Sequence, residues 1–169
     1  MPAPQEVGNN LSVMPTVIRN TPTCLIPKEL FKEEKIRDYW SVLYAAPHYE
    51  SIGKDDLENS FLLYPKPKDA DTVHEITLVY KDLQEKFPDQ IHAICINVYD
   101  DGVSLLALKD RQIAYTGHCQ YTVKEDVLYY LTNVFQQFFE NIAQVNFFFQ
   151  QLPPDILRLL DNYYEMQKL

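Results

Sequence analysis

The sequence predicts an α/β protein built on a mixed sheet, and three observations carry that expectation. Ile91 to Phe149 reads IHAICINVYDDGVSLLALKDRQIAYTGHCQYTVKEDVLYYLTNVFQQFFENIAQVNFFF, in which short apolar runs are split by tight turns. Within it, Val127, Leu128, Leu131, Val134, Phe135 and Phe138 recur at three- and four-residue spacing, the stripe of an amphipathic helix. The chain is also 169 residues long, 46% hydrophobic and 23% charged, enough to bury a core without disulfide staples.

The first 24 residues carry Pro2, Pro4, Pro15 and Pro22 and read as a loose segment with one short strand at Val13 to Arg19. A first helix is expected from Pro27, a favoured first-turn residue, with Glu29, Glu33 and Glu34 complementing its positive end and Leu30, Ile36, Tyr39, Trp40 and Leu43 facing inward. Residues 47–60 read as a polar loop. Phe61 to Tyr64 is a short apolar run stopped by Pro65 and Pro67, and PKPKDAD reads as a solvated loop, the candidate for a hinge or lobe boundary. Val73 to Tyr80 reads as a strand, and Lys81 to Phe87 as a short helix ended by Pro88.

In the informative block, both faces of the run through Ile94, Ile96 and Val98 are apolar, as in an inner strand. Asp101-Gly102 signals a hairpin into Val103 to Leu108, and Lys109 to Gln112 turns into Ile113 to Tyr121. Thr122-Val123-Lys124-Glu125 predicts a capping box in which the Thr hydroxyl and the Glu carboxylate each satisfy an orphan N–H. Val145 to Phe149 is the next strand. Pro153-Pro154-Asp155 starts a last helix, with Ile156, Leu159, Leu160, Tyr163 and Met166 on one face.

Strand-strand-strand-helix-strand is the core order of ribonuclease-H-like and actin-like folds. Three segments, LIPKELFKEE, INVYDDGVSLLALKDRQIAY and YTVKEDVLYYL, carry a resemblance to a bacterial family of domains of unknown function with an actin-like ATPase (ASKHA) fold. More distantly, the layout is similar to the cytoplasmic actin-like scaffolds of pilus and type II secretion machinery. The resemblance implies a β-β-β-α-β-α lobe over residues 89–169, a smaller α/β lobe over 25–88 and a loose segment over 1–24. Family members are longer. Their three-stranded meander in the first lobe is not found here, the link between Pro88 and Ile91 is too short for the helix expected between lobes, and the closing strand after the final helix is absent. A shortened relative, or a chain from which parts are missing, is therefore expected.

Charge and composition exclude several function classes. A net charge of −9 disfavours nucleic acid and anionic membrane surfaces, since both select basic patches. No stretch reads as a signal peptide or as a membrane span of ~20 apolar residues, so a cytoplasmic location is expected. Cys24, Cys95 and Cys119 form no CxxC pair and read as reduced thiols. The histidines at 48, 74, 92 and 118 are scattered, and no metal site is expected. His118 and Cys119 are adjacent strand residues facing opposite ways, so they make no nucleophile–base pair. Glu33, Glu34 and Asp38 read as a solvated helix face.

Active members of the resembled fold grip phosphate at the first strand turn. Here that position is Asp100, Asp101, Gly102 and Val103. The chain has only four glycines and no two close together, whereas a phosphate cradle needs backbone N–H groups unobstructed by Cβ atoms. Asp100, Asp101 and Asp110 read as an acidic edge that repels polyphosphate unless a metal intervenes. The expectation is a degenerate, non-enzymatic actin-like domain with no catalytic residue and no cofactor, acting as a scaffold or protein-interaction module. The alternative is a weak switch binding ATP with Mg through Asp100 or Asp101. Phe139, Phe147, Phe148 and Phe149 are the candidate surface for a protein partner or for self-association, because three consecutive phenylalanines cannot share one strand face.

Overall fold

The computed structural model describes residues 14–19, 21–43, 51–100 and 102–169. In chain order these form β1 (Thr16–Ile18), β2 (Cys24–Pro27), two 3-10 turns, α1 (Ile36–Leu43), β3 (Ser51–Asp56), β4 (Ser60–Lys66), β5 (Thr72–His74) and α2 (Glu75–Lys86). There follow β6 (Ala93–Tyr99), β7 (Gly102–Lys109), β8 (Gln112–Cys119), α3 (Lys124–Phe138), β9 (Asn146–Phe149), α4 (Pro154–Leu160) and β10 (Met166–Lys168).

The central sheet has the order β10-β9-β6-β7-β8. β6, β7 and β8 form an antiparallel meander, β9 returns parallel to β6, and β10 lies parallel to β9. The strand order matches the expected β-β-β-α-β-α core, and a closing strand, expected to be absent, is present as β10. The last helix stops at Leu160, and Met166, read as a helix residue, is in β10. Three residues of strand carry too little pattern to be legible.

Side-chain alternation on β6 and β7 feeds two cores. Ile94, Ile96, Val98, Val103 and Leu105 face α3 and α4, where Val127, Leu131, Val134, Ile156 and Leu160 meet them. Ala93, Cys95, Leu106 and Leu108 face the other way, against α2 and Leu57 and Leu62 from the β3–β4 hairpin. Both faces of the sheet are thus covered, which is why its inner strands read as unbroken apolar runs. A smaller core of Cys24, Leu63 and Trp40 lies between α1 and the sheet of order β2-β4-β3.

The first half departs furthest from the sequence expectation. Pro27 ends a strand, and α1 begins only at Ile36. The expected loop at 47–60 contains β3, whose inward residues are Gly53 and Asp55 rather than apolar ones. With β2 and β4 it forms a three-stranded antiparallel sheet. Strand character at Val73 stops at His74, and the following residues form the twelve-residue helix α2. The helix before the long lobe thus exists, but it lies on the N-terminal side of Pro88. At the start of α3, the reaching carboxylate is Asp126, not Glu125; it accepts the N–H groups of Thr122 at 2.8 Å and Val123 at 3.1 Å.

Candidate functional site

The turn between β6 and β7 is the position at which the resembled fold would hold phosphate. Asp100 is exposed, Asp101 lies outside the described residues, and Val103 is turned into the α3-facing core. Gly102 pairs with Tyr99 across the turn and is buried. A Cβ there would overlap the imidazole of His118, so the ring occupies the space that the missing side chain leaves open. Asp110 stands at the far end of β7, in the β7–β8 turn. Eight residues at ~3.3 Å each separate the two ends, so Asp110 forms no acidic edge with Asp100.

Polar side chains gather on the α2 side of this turn. Antiparallel register places Asn97 opposite Ser104, and Ser104 opposite His118, so the three share one sheet face. Ser104 Oγ donates to Glu75 Oε1 at the start of α2. The Tyr99 phenol also hydrogen-bonds Glu75, and Arg19 bonds that phenol with its guanidinium carbon 5.9 Å from the ring centroid. Burial and the Glu75 carboxylate push the Tyr99 phenol far above its ordinary range. Asn97 Oδ1 accepts the N–H groups of Gln150 at 2.8 Å and Gln151 at 3.0 Å, fixing the chain as it leaves β9.

The start of α2 is built from residues distant in sequence. Asp55 Oδ2 accepts from the His74 N–H at 2.8 Å and from Thr77 Oγ1 at 2.6 Å, while Asp55 Oδ1 accepts from the Tyr64 hydroxyl at 2.8 Å. Tyr64 reaches Asp55 by lying across Gly53, its partner in the β3–β4 register; a Cβ at Gly53 would overlap the ring. His74, 1% exposed, caps the helix with Nδ1 at 3.1 Å from the Ile76 N–H, and its Nε2 lies 3.2 Å from Thr21 Oγ1. Desolvation, reinforced by the nearby His118, lowers the His74 pKa to about 4, so the imidazole is neutral. Thr23 and Thr116 hydroxyls, 2.9 Å apart, tie the segment leading into β2 to β8.

Chemically this is a closed polar joint. Both oxygens of the Asp55 side chain have donors, as a buried polar group demands. Burial raises Cys24 to about 11 and Cys95 to about 12, which leaves both as unreactive thiols. His118 and Cys119 do face opposite sides, since their register partners Ser104 and Val103 lie in different layers. Among the described residues, no three His, Cys, Asp or Glu side chains gather in metal-binding geometry.

The aromatic residues expected at a docking surface are mostly interior. Phe147 and Phe148 are 2% and 1% exposed, one in each core, and Phe139 is 9% exposed. Phe149 is half-buried, and its carbonyl accepts the Leu169 N–H at 2.8 Å. β9 lies between β6 and β10 with helices on both faces, so consecutive aromatics are buried on both sides. Sequence reasoning missed Asp55, Tyr64, His74, Glu75 and Ser104. One legible signal was available: Asn97 and Ser104 interrupt otherwise apolar runs.

A family described as "Protein of unknown function (DUF3822)" matches residues 15–150 of this chain. No curated protein matches it. Among solved structures, the chain is similar to a Bacteroides thetaiotaomicron VPI-5482 protein described as having an "actin-like ATPase fold and unknown function", with 16% identity and a TM-score of 0.76. The alignment covers 90% of this chain and 66% of that one, so the chain spans just under two thirds of that protein's length. At this identity the likeness establishes the fold, which is actin-like.

Proposed function

We propose that this chain, which belongs to the DUF3822 family of proteins of unknown function, is a non-catalytic actin-like domain that works in the cytoplasm as a scaffold or protein-interaction module. One observation carries the reading: the space beside Gly102, where β7 begins, is filled from within. His118 lies over Gly102, and Glu75 is held behind the turn by Tyr99 and Ser104. A polyphosphate placed here meets a buried carboxylate and side chains where free N–H groups are needed. This crowding beside Gly102 supports a reading without Mg-ATP.

Thermal unfolding with millimolar Mg-ATP, against Mg alone, tests the reading. The expected outcome is an unchanged midpoint. A ligand present at 100 times its dissociation constant stabilises the native state by ~2.7 kcal/mol, so tight binding is easily seen. An ATP-specific rise that Asp100→Asn or Asp101→Asn removes would replace this reading with the nucleotide switch.

A further inference from the structure

A cleft of about 540 Å³ opens where the two halves meet, at the opposite end of β7 from Gly102. It is walled by the end of β2 and the turn after it, by the β3–β4 turn, and by Tyr80 of α2 with the start of β8. Its apolar lining is Leu25, Leu57 and Ile113, which belong to the core beneath α2 or pack against it. Backbone bonds pin the walls. The Lys28 N–H donates to the Asn59 carbonyl at 3.0 Å, and the Leu57 N–H to the Ser60 carbonyl at 2.9 Å. The cleft is thus preformed, and its volume lies in the ~300–1,000 Å³ range of ligand sites.

The polar groups of the cleft favour a cation. The Tyr80 phenol, 6% exposed, donates to Glu58 Oε2 at 3.1 Å; burial raises its pKa to about 12, so it keeps that proton. A carboxylate accepts up to about four hydrogen bonds, so Glu58 held this way still offers acceptor sites to a forked donor. Glu29 adds a second carboxylate to the lining. The Lys28 ammonium, also in the lining, is bound to Asp56 at 2.6 Å and lies over the Phe61 ring, so its charge is met within the chain. We infer that this cleft receives an arginine side chain from a basic segment of a partner protein. The guanidinium meets Glu58 and Glu29, and the aliphatic stem lies on Leu57 and Ile113. The inference rests on the interaction-module reading and gives its partner a chemistry. Charge complementarity selects that partner: a chain of net charge −9 draws basic surfaces at long range, and the cleft supplies the short-range match for a planar fork.

Amide chemical shifts of the full chain, titrated with the peptide acetyl-Gly-Arg-Gly-amide, read the outcome. The expected result is saturable shifts at residues 57–60, 112 and 113, and none with the glutamate or leucine versions of the peptide. Glu58→Gln, whose amide oxygen still accepts from Tyr80, is expected to weaken binding about tenfold at an unchanged thermal midpoint. Glu29→Gln, at an exposed position, is a second variant expected to weaken it. An arginine titration without saturable shifts, an equal response to the leucine peptide, or an affinity unchanged in both variants overturns the inference. Agmatine binding more tightly than the peptide overturns it too, by making a small amine the occupant. A silent arginine titration removes this cleft and leaves the proposed function standing, whereas an ATP-specific rise in midpoint removes that function, so the two readings fail separately.

Discussion

At the scale of the residue, His74 is the side chain with the clearest measurable consequence. It is enclosed by Thr21, Tyr64 and His118, and its pKa is lowered from 6.5 to about 4, chiefly by desolvation. Folding therefore excludes a proton that the unfolded chain binds. Above pH 6.5 the imidazole is neutral in both states and nothing is lost. As pH falls from 6.5 towards 4, the unfolded state gains the proton first and stability declines. At ~1.4 kcal/mol per unit, the full loss is of the order of 3 kcal/mol. His74→Asn keeps an effective N-cap but cannot titrate. Chemical denaturation from pH 7 to 4 is expected to show a shallower acid limb for this variant; identical limbs would mean that His74 is not held neutral.

At the scale of the element, the β7–β8 turn shows how a connection is fixed from outside. Asp110 and Arg111 both have positive φ, 54° and 66°, with Lys109 and Gln112 paired around them. That is the geometry of a two-residue mirror-image turn, which usually takes Asn-Gly. Neighbouring chain holds it: the Asp110 N–H donates to His92 Nδ1 at 3.2 Å, the Arg111 N–H to the Ile91 carbonyl at 2.9 Å, and the Arg111 guanidinium to the Pro88 carbonyl. Asp tolerates this conformation and β-branched residues do not. Asp110→Val is expected to lower stability in urea by ~1–2 kcal/mol, while Asp110→Gly holds or raises it. Equal losses for both would show that the side chain, not the backbone, matters.

At the scale of the whole molecule, the two halves share a core. Leu57 and Leu62 from the first half, α2, and Cys95, Leu106 and Phe148 from the second belong to one buried cluster. Residues 25–88 and 89–169 are therefore expected to unfold together. Trp40, the single tryptophan, sits in the small core of the first half and reports on it by fluorescence; far-UV circular dichroism is dominated by the rest. The two signals are expected to give coincident transitions, and Leu106→Ala to shift both by ~2–5 kcal/mol. Separate transitions would mean independent lobes.

The long lobe was legible because its signals are local. The α3 stripe and the unbroken apolar runs of β6 and β7 each lie within a few residues of one another, whereas Gly102, read as a turn residue, opens β7 instead. The first half was not legible because its signals come from afar. Val-His-Glu-Ile-Thr reads as strand until Asp55, nearly twenty residues earlier, accepts the His74 N–H and the Thr77 hydroxyl and starts a helix there. β3 hides because its inward face is Gly53 under Tyr64 and a satisfied Asp55, a pattern no apolar alternation announces.

By itself the sequence determined the order of strands from β6 to β9 and the amphipathic helix α3, since periodicity acts over one turn or one strand. The tertiary structure alone decided which face each aromatic occupies and what fills the turn at Gly102. Burial depends on layers supplied by distant segments: Phe147 and Phe148 are core because helices cover both sides of β9, and the turn is filled because β8 and α2 deliver His118 and Glu75 to it.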